Sequence, residues 1–177
     1  DGQSFLTDKN GKKIFQMLSF EEDSNVFDIN TLESWHSRLK KETATEQLHK
    51  ALVLGLRDYA KKTGHHKVHL GLSGGIDSAV VAALAVDAFG PQNVVLFALP
   101  TQFNVAESFQ FAQKMAKNIG CSLKEISIQS TFEHIKNIFD VAFDIKDFTV
   151  VHENMQSRIR GMYLMAYSNL TGSLLLT

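Results

Sequence analysis

A strand, a glycine-rich turn and a helix follow one another without a linker between Lys67 and Gly90, in the stretch KVHLGLSGGIDSAVVAALAVDAFG. Val68 to Leu72 is an apolar run with a β-branched start, too short for a helix of its own, and it reads as a buried strand. From Ser78 onward Ala, Val and Leu run almost unbroken until Gly90-Pro91 stops them, which predicts a helix packed on a sheet. Between the two sits Ser73-Gly74-Gly75-Ile76-Asp77-Ser78. Adjacent glycines let the backbone approach a bulky group and take positive φ, while the helix start offers unpaired N–H donors and the positive end of its dipole. The combination predicts a cradle for phosphate.

No lysine enters this turn, so it is not the GxxxxGK loop followed by Ser or Thr. It carries two hydroxyls instead, Ser73 and Ser78, and one carboxylate, Asp77. A carboxylate facing polyphosphate repels it unless a hard cation such as Mg²⁺ stands between them, which makes Asp77 a metal ligand or an orienting group. The plainer alternative is a helix start at which Asp77 and Ser78 only cap N–H groups. Strand, loop and helix in this order favour the cradle.

Strand and helix alternate beyond it. Thr43-Ala-Thr-Glu46 has the form of a capping box, and Leu48, Leu52, Leu56, Tyr59 and Ala60 fall on one face of a helix ending near Gly64. Asn93 to Leu99 is a continuous apolar run of the kind buried on both faces of a parallel sheet. Asn104-Val-Ala-Glu107 is a second capping signal before a helix, with Met115 in its core stripe; Leu123 to Ile128 is a third strand, and Ser130 opens a fourth helix. After a loop between Ala142 and Thr149 comes HENMQSRIRGMYLMAYSNL, a long helix with Met155, Ile159, Met162 and Ala166 as its apolar stripe. Asn154, Arg158 and Gly161 share a second face; Gln156, Arg160, Tyr163 and Tyr167 share a third. The fold class is therefore α/β: an open parallel sheet with helices on both faces and its ligand crevice at the carboxyl ends of the strands.

The first residues differ in texture. Two short apolar runs flank Asp8-Lys9-Asn10-Gly11, a hairpin signal, and Val26 to Ile29 reads as one further strand. Residues 30–42 form a connector, with Trp35 resting on a hydrophobic surface. His65, His66 and His69 lie too close to a turn and strand to converge on a metal, and read as solvated. Cys121 is the only cysteine and reads as a small buried thiol, which excludes an intrachain disulfide.

Composition excludes several classes. Hydrophobic residues make up 44% and charged residues 21%, as in globular domains rather than disordered or fibrous chains. The formal charge of -1 argues against a strongly basic nucleic-acid surface and toward a small-molecule substrate. No apolar run is long enough to span a membrane and no secretory leader precedes the first strand, so the expectation is a cytoplasmic protein. The chain starts at Asp1 rather than methionine, and is expected to be a piece of something longer.

GLSGGIDS resembles the SGGxDS signature of the PP-loop, or N-type, ATP pyrophosphatases, and matches its six-residue core at every specified position. That resemblance implies an adenine nucleotide alpha hydrolase-like, Rossmann-like fold, and chemistry in which ATP is cut between its α and β phosphates. ENMQSRIR, followed by GMYLMAYSN, is similar to the ENxQxRxR segment of NAD synthetases, in particular the glutamine-dependent kind. DGQSFLTDKNG and its return strand resemble the closing strands of the nitrilase-like glutaminase domain that precedes the synthetase domain there.

The resemblance divides the chain into residues 1–29, a remnant of that glutaminase domain, a connector over 30–42, and residues 43–177, the truncated first part of the synthetase domain. It implies ATP binding by Gly71, Leu72, Ser73, Gly74, Gly75, Ile76, Asp77 and Ser78, Mg²⁺ at Asp77, and deamido-NAD binding by Asn154 and Arg158. No residue is required as a covalent nucleophile. The implied partners are deamido-NAD, ATP, ammonia or glutamine, and further copies of the chain in a homo-oligomer. The region after the second strand departs from the family's serine-rich pattern, keeping Thr101, Gln102 and Asn104 instead. The alternatives are another PP-loop amidating or tRNA-modifying enzyme, and a fragment that holds ATP without turning it over.

Overall fold

Side chains alternate between the two faces of a strand, and the two inner strands of the central sheet use that alternation to bury both faces. A computed structural model describes residues 2–28, 30, 42–103 and 106–177. Its strands are β1 (Phe5–Thr7), β2 (Lys13–Gln16), β3 (Val68–Gly71), β4 (Val94–Ala98), β5 (Ser122–Glu125) and β6 (Leu174–Leu176). Its helices are α1 (Ala44–Thr63), α2 (Ile76–Phe89), α3 (Ala106–Asn118), α4 (Gln129–Phe143) and α5 (Val150–Thr171). By internal packing the chain divides into two units, Asp1–Leu56 and Arg57–Thr177, with the division inside α1.

In the larger unit β3 to β6 form one parallel sheet in the order β5-β4-β3-β6. Val68, Leu70, Val94 and Leu96 face Ala82, Ala85, Ala112 and Ala116 of α2 and α3. Phe97 and Leu99 face the other way, onto Ile128, Phe132, Ile159 and Leu164 beside α4 and α5. Helices cover both faces, so the expected α/β class holds. Small alanines on α2 and α3 let those helices sit close on the sheet. The chain lays β3, β4 and β5 down in one direction and then crosses back to place β6 on the far side of β3. The strand order therefore reverses at β3, the kind of switch point where open α/β sheets bind ligands.

α1 begins as its capping box predicts: Glu46 N–H donates to Thr43 Oγ1 at 3.2 Å, and Thr43 N–H to the Glu46 carboxylate at 2.7 Å. Its predicted apolar face is only partly covered, for Leu48, Leu52 and Tyr59 are exposed while Ala60 is buried. α4 starts at Gln129, with Ile128 rather than Ser130 at the cap position and no side-chain cap. Ile128 is wholly buried and anchors the helix start, while the Gln129 N–H donates to Ser127 Oγ at 3.3 Å.

α5 is rotated relative to the expected stripe. Ile159 and Leu164 are buried, but so are His152 and Gln156, while Met162 is exposed. Polar side chains face inward because each finds a partner: His152 to Asp140 at 2.8 Å, Gln156 to Thr101 at 2.8 Å, and Tyr163 Oη to Thr131 at 2.9 Å. Thr149 N–H donates to His152 Nδ1, so the ring proton sits on Nε2 and is given to the Asp140 carboxylate. Among the described residues no buried side-chain nitrogen or oxygen lacks a hydrogen bond.

His69 is likewise not solvated. It is fully buried on β3, with Nε2 3.0 Å from the Leu164 carbonyl and Nδ1 3.0 Å from the Ser173 hydroxyl, and the rings of Phe97 and Tyr167 meet it edge-on. The carbonyl can only accept, so Nε2 carries the proton and Nδ1 accepts from Ser173. His65 lies 3.0 Å from the Gly172 carbonyl. Cys121 is half-buried, its thiol 3.7 Å from the Pro91 carbonyl, and burial raises its pKa.

In the smaller unit β1 and β2 pair antiparallel, and an isolated bridge between Gly2 and Ser19 extends the hairpin. The turn runs from Asp8 to Lys12 rather than through Asn10-Gly11 alone. The Asp8 carboxylate accepts from the amides of Asn10 and Lys12, at 2.9 and 2.8 Å. The strand expected over Val26 to Ile29 does not form at 26–28. Phe27 packs edge-on against Phe15 at 4.8 Å, anchoring the segment by a side chain instead of by strand pairing. Ile29, Trp35 and most of the connector, together with Asn104 of the second capping signal, lie outside the described residues.

Candidate functional site

The Ser73–Ser78 turn leaves the carboxyl end of β3 and runs straight into α2. Its two glycines do different work. Gly74 has φ +85°, and a Cβ there would meet the Ser108 carbonyl oxygen of α3 at 2.2 Å. Gly75 is the N-cap, with ordinary extended angles of φ -84° and ψ 161°. Its lack of a side chain leaves the helix start uncapped. Ile76, Asp77 and Ser78 occupy the first helical turn, where amides have no carbonyl one turn back to bond. Ile76 and Asp77 are exposed.

The loop hydroxyls occupy two further amides. Ser73 N–H donates to Ser78 Oγ and Gly75 N–H to Ser73 Oγ, each at 3.2 Å, and the two hydroxyls lie 3.0 Å apart. Ser78 Oγ–H donates in turn to the Gly75 carbonyl at 3.1 Å. Neutral hydroxyl oxygens thus sit where a more basic phosphate oxygen would accept the same bonds more strongly.

Beside the loop opens a cavity of about 220 Å³, walled by Gly71, Leu72 and Ser73, by Phe97 to Pro100, by Ser108 and Phe109, and by Arg160. Gly71 and Leu72 thus lie on its strand side. Apart from Ser73, Ser108 and Arg160, its side chains are apolar. Arg160 reaches in from α5, its Nε donating to the Leu99 carbonyl at 3.1 Å. Burial lowers the pKa of its guanidinium without discharging it. The same side chain borders a second cavity of about 270 Å³ with Phe103, Phe148, Glu153 and Gln156.

Asn154 and Arg158 stand together on an exposed face of α5, and Arg158 Nη1 donates to the Asn154 carbonyl at 3.3 Å within the helix. They do not line either cavity. Among the described residues no three His, Cys, Asp or Glu side chains are grouped to hold a metal ion. A cation held at Asp77 would have to take its remaining ligands from a bound substrate and water. One exposed carboxylate beside an uncapped helix start is a donor set that would suit Mg²⁺, which binds through one or two carboxylates plus substrate phosphates.

A family model described as NAD synthase matches residues 48–177, the whole of the loop, both cavities and α5. The chain belongs to the NAD synthase family. The glutamine-dependent NAD(+) synthetase of a Synechocystis strain is 40% identical over all of this chain and 32% of its own length. The glutamine-dependent NAD+ synthetase of Acinetobacter baumannii, solved in complex with adenosine diphosphate, matches with a TM-score of 0.91 at 32% identity. That match covers 99% of this chain and 34% of the other. The NH3-dependent NAD synthetase of Campylobacter jejuni gives a TM-score of 0.66 at 29% identity, over 76% of this chain and 56% of its own. The chain thus spans about a third of the length of its glutamine-dependent relatives.

In this NAD synthase chain the signal for Arg160 was present in the sequence as its helical face, shared with Gln156, Tyr163 and Tyr167. That face carries no apolar stripe, so periodicity alone gave no reason to turn it inward. Thr101 and Gln102, whose partners the sequence left open, contact Gln156 and Gln129 respectively.

Proposed function

We propose that this chain carries the ATP-binding part of an enzyme that amidates deamido-NAD to NAD through an adenylated intermediate. The observation that carries the reading is an uncapped glycine loop opening onto an apolar cavity with one desolvated arginine in its wall. In it, amides and hydroxyls from Ser73 to Ser78 hold the β and γ phosphates, and the apolar cavity lined by Gly71 and Leu72 takes the adenosine.

A free carboxylate resists ammonia, because its charge repels the nucleophile and it offers no good leaving group. An oxygen of the nicotinate carboxylate attacks the α phosphorus, the bond to the β-phosphate oxygen breaks, and pyrophosphate departs against the loop donors. Ammonia then adds to the acyl carbon, loses a proton and expels AMP, leaving the carboxamide. Mg²⁺ at Asp77 supplies charge neutralisation for the polyphosphate when bound. Arg160, bordering both cavities, puts a fixed cation between the ATP side and the acid side, while Asn154 and Arg158 contact the dinucleotide.

Matches over the whole chain to glutamine-dependent relatives support residues 1–29 as the end of a glutaminase domain and glutamine as the ammonia source. Among the described residues no helix is long and apolar enough to cross a membrane. A single half-buried thiol fits a reducing cytoplasm. A homo-oligomer is part of the same reading, and size-exclusion chromatography with light scattering tests it.

Coverage of only a third of the relatives favours a second reading for the isolated 177 residues, ATP binding without turnover. The deciding assay follows pyrophosphate release with ammonia supplied. Release by the intact protein that depends on deamido-NAD, and not on xanthosine monophosphate or tRNA, supports the proposal. Release driven by either of the others sinks it.

A further inference from the structure

Two hydrogen bonds run in parallel between α5 and the segment leaving β4. Thr101 Oγ1–H donates to Gln156 Oε1 at 2.8 Å, and Arg160 Nε donates to the Leu99 carbonyl at 3.1 Å. Gln156 and Arg160 are four apart, neighbours on one helix face, and Leu99 and Thr101 are two apart on the facing segment. Thr101 and Gln156 are each 6% exposed. Burying an amide gains nothing over burying a leucine of similar size, since the amide must first be desolvated. Its presence there calls for a role beyond filling space.

The contrast on the same helix supplies one. Arg158, one half-turn away and without such a strut, is exposed and bonds only its own helix among the bonds described. Arg160 has its guanidinium drawn across to Leu99 and borders both cavities. We propose that Gln156 is a positioning residue: through Thr101 it locks α5 to the carboxyl end of β4, and so fixes the Arg160 guanidinium at the wall between the two cavities. This rests on the function proposed above for what Arg160 does there, but not for where it is held. Misplacing a charged group by about 1 Å costs roughly a hundredfold in rate.

The test uses the intact protein with Thr101→Val and Gln156→Leu combined. Replacing both partners by apolar groups of the same shape is close to neutral for stability, so the melting temperature is expected to stay near the parent's while the rung is gone. Position is read by phenylglyoxal labelling and mass spectrometry, with Arg158 as the internal reference. Labelling of Arg160 is expected to rise at least about fivefold relative to Arg158. Function is read as kcat for deamido-NAD-dependent pyrophosphate release, expected to fall between about tenfold and a hundredfold, with no further fall when the pair is introduced into Arg160→Lys.

Unchanged labelling of Arg160 overturns the proposal, whatever the enzyme's substrate proves to be. Increased labelling with unchanged kcat, or an equal loss of kcat in Arg160→Lys, also overturns it. If the parent releases no pyrophosphate with deamido-NAD, the functional reading fails and the labelling alone decides the positioning. Thr101→Ala carries the same test if the paired variant does not fold, and Thr101→Ser, which keeps the hydroxyl, is expected to match the parent.

Discussion

At the scale of single residues, Gly74 and Gly75 look interchangeable in the sequence and are not. Gly74 combines positive φ with a backbone oxygen where its Cβ would stand, whereas a Cβ on Gly75 meets only the rotatable Ser73 hydroxyl, at 3.3 Å. Gly74→Ala is therefore expected to cost about 2–3 kcal/mol or more in urea unfolding and to abolish ATP binding in calorimetry. Gly75→Ala is expected to cost within about 1 kcal/mol. Asp77→Asn is expected to lower Mg²⁺-dependent turnover at least about tenfold, read by titrating Mg²⁺. Turnover indifferent to the change would remove the metal from Asp77. The need for glycine in this turn was legible from SGGIDS, but which glycine carries it depends on how closely α3 approaches, and no local pattern encodes that distance.

Secondary-structure elements show where pattern reading succeeds and where it stops. β3 and β4 were plain because every residue of a doubly covered strand is apolar, His69 excepted. α5 is rotated from the expected stripe because His152 and Gln156 join Ile159 and Leu164 on its buried face and find partners, His152 on α4 and Gln156 beyond β4, a fact that lies in tertiary pairing. Asp140 shows the strength of such a pairing: hydrogen bonds from Lys136 and His152 hold its pKa below the usual carboxylate value. Asp140→Ala leaves the buried His152 Nε2–H without this acceptor and is expected to lower the midpoint of thermal unfolding.

His69 gives a pH dependence of definite sign. Burial lowers its pKa below the ordinary 6.5, despite the Leu164 carbonyl bond that raises it. Below about pH 6.5 the unfolded chain binds a proton that the native chain refuses, so the His69 contribution is complete above that pH and is lost on acidification. Stability is expected to fall by up to about 1.4 kcal/mol per pH unit below about pH 6. His69→Leu should flatten that slope, and an unchanged slope would assign it to other groups.

On the scale of the whole molecule, alternation of strand and helix made an open parallel sheet legible, and with it the position of the loop at a strand's carboxyl end. Strand order was not legible. LLL at 174–176 would pair equally well by composition on either edge, and only the crossing of α5 under the sheet carries it to the far side of β3. That crossing makes β3 the switch point and brings Arg160 beside a loop 82 residues earlier in the chain. The most direct measurement is a crystal structure of the intact protein with a non-hydrolysable ATP analogue and Mg²⁺. The β and γ phosphates are predicted within about 3.2 Å of the Ser73 to Ser78 amides, with the Ser73–Ser78 and Gly75–Ser73 bonds exchanged for phosphate. A triphosphate bound elsewhere, with those serine–amide bonds intact, would contradict the account.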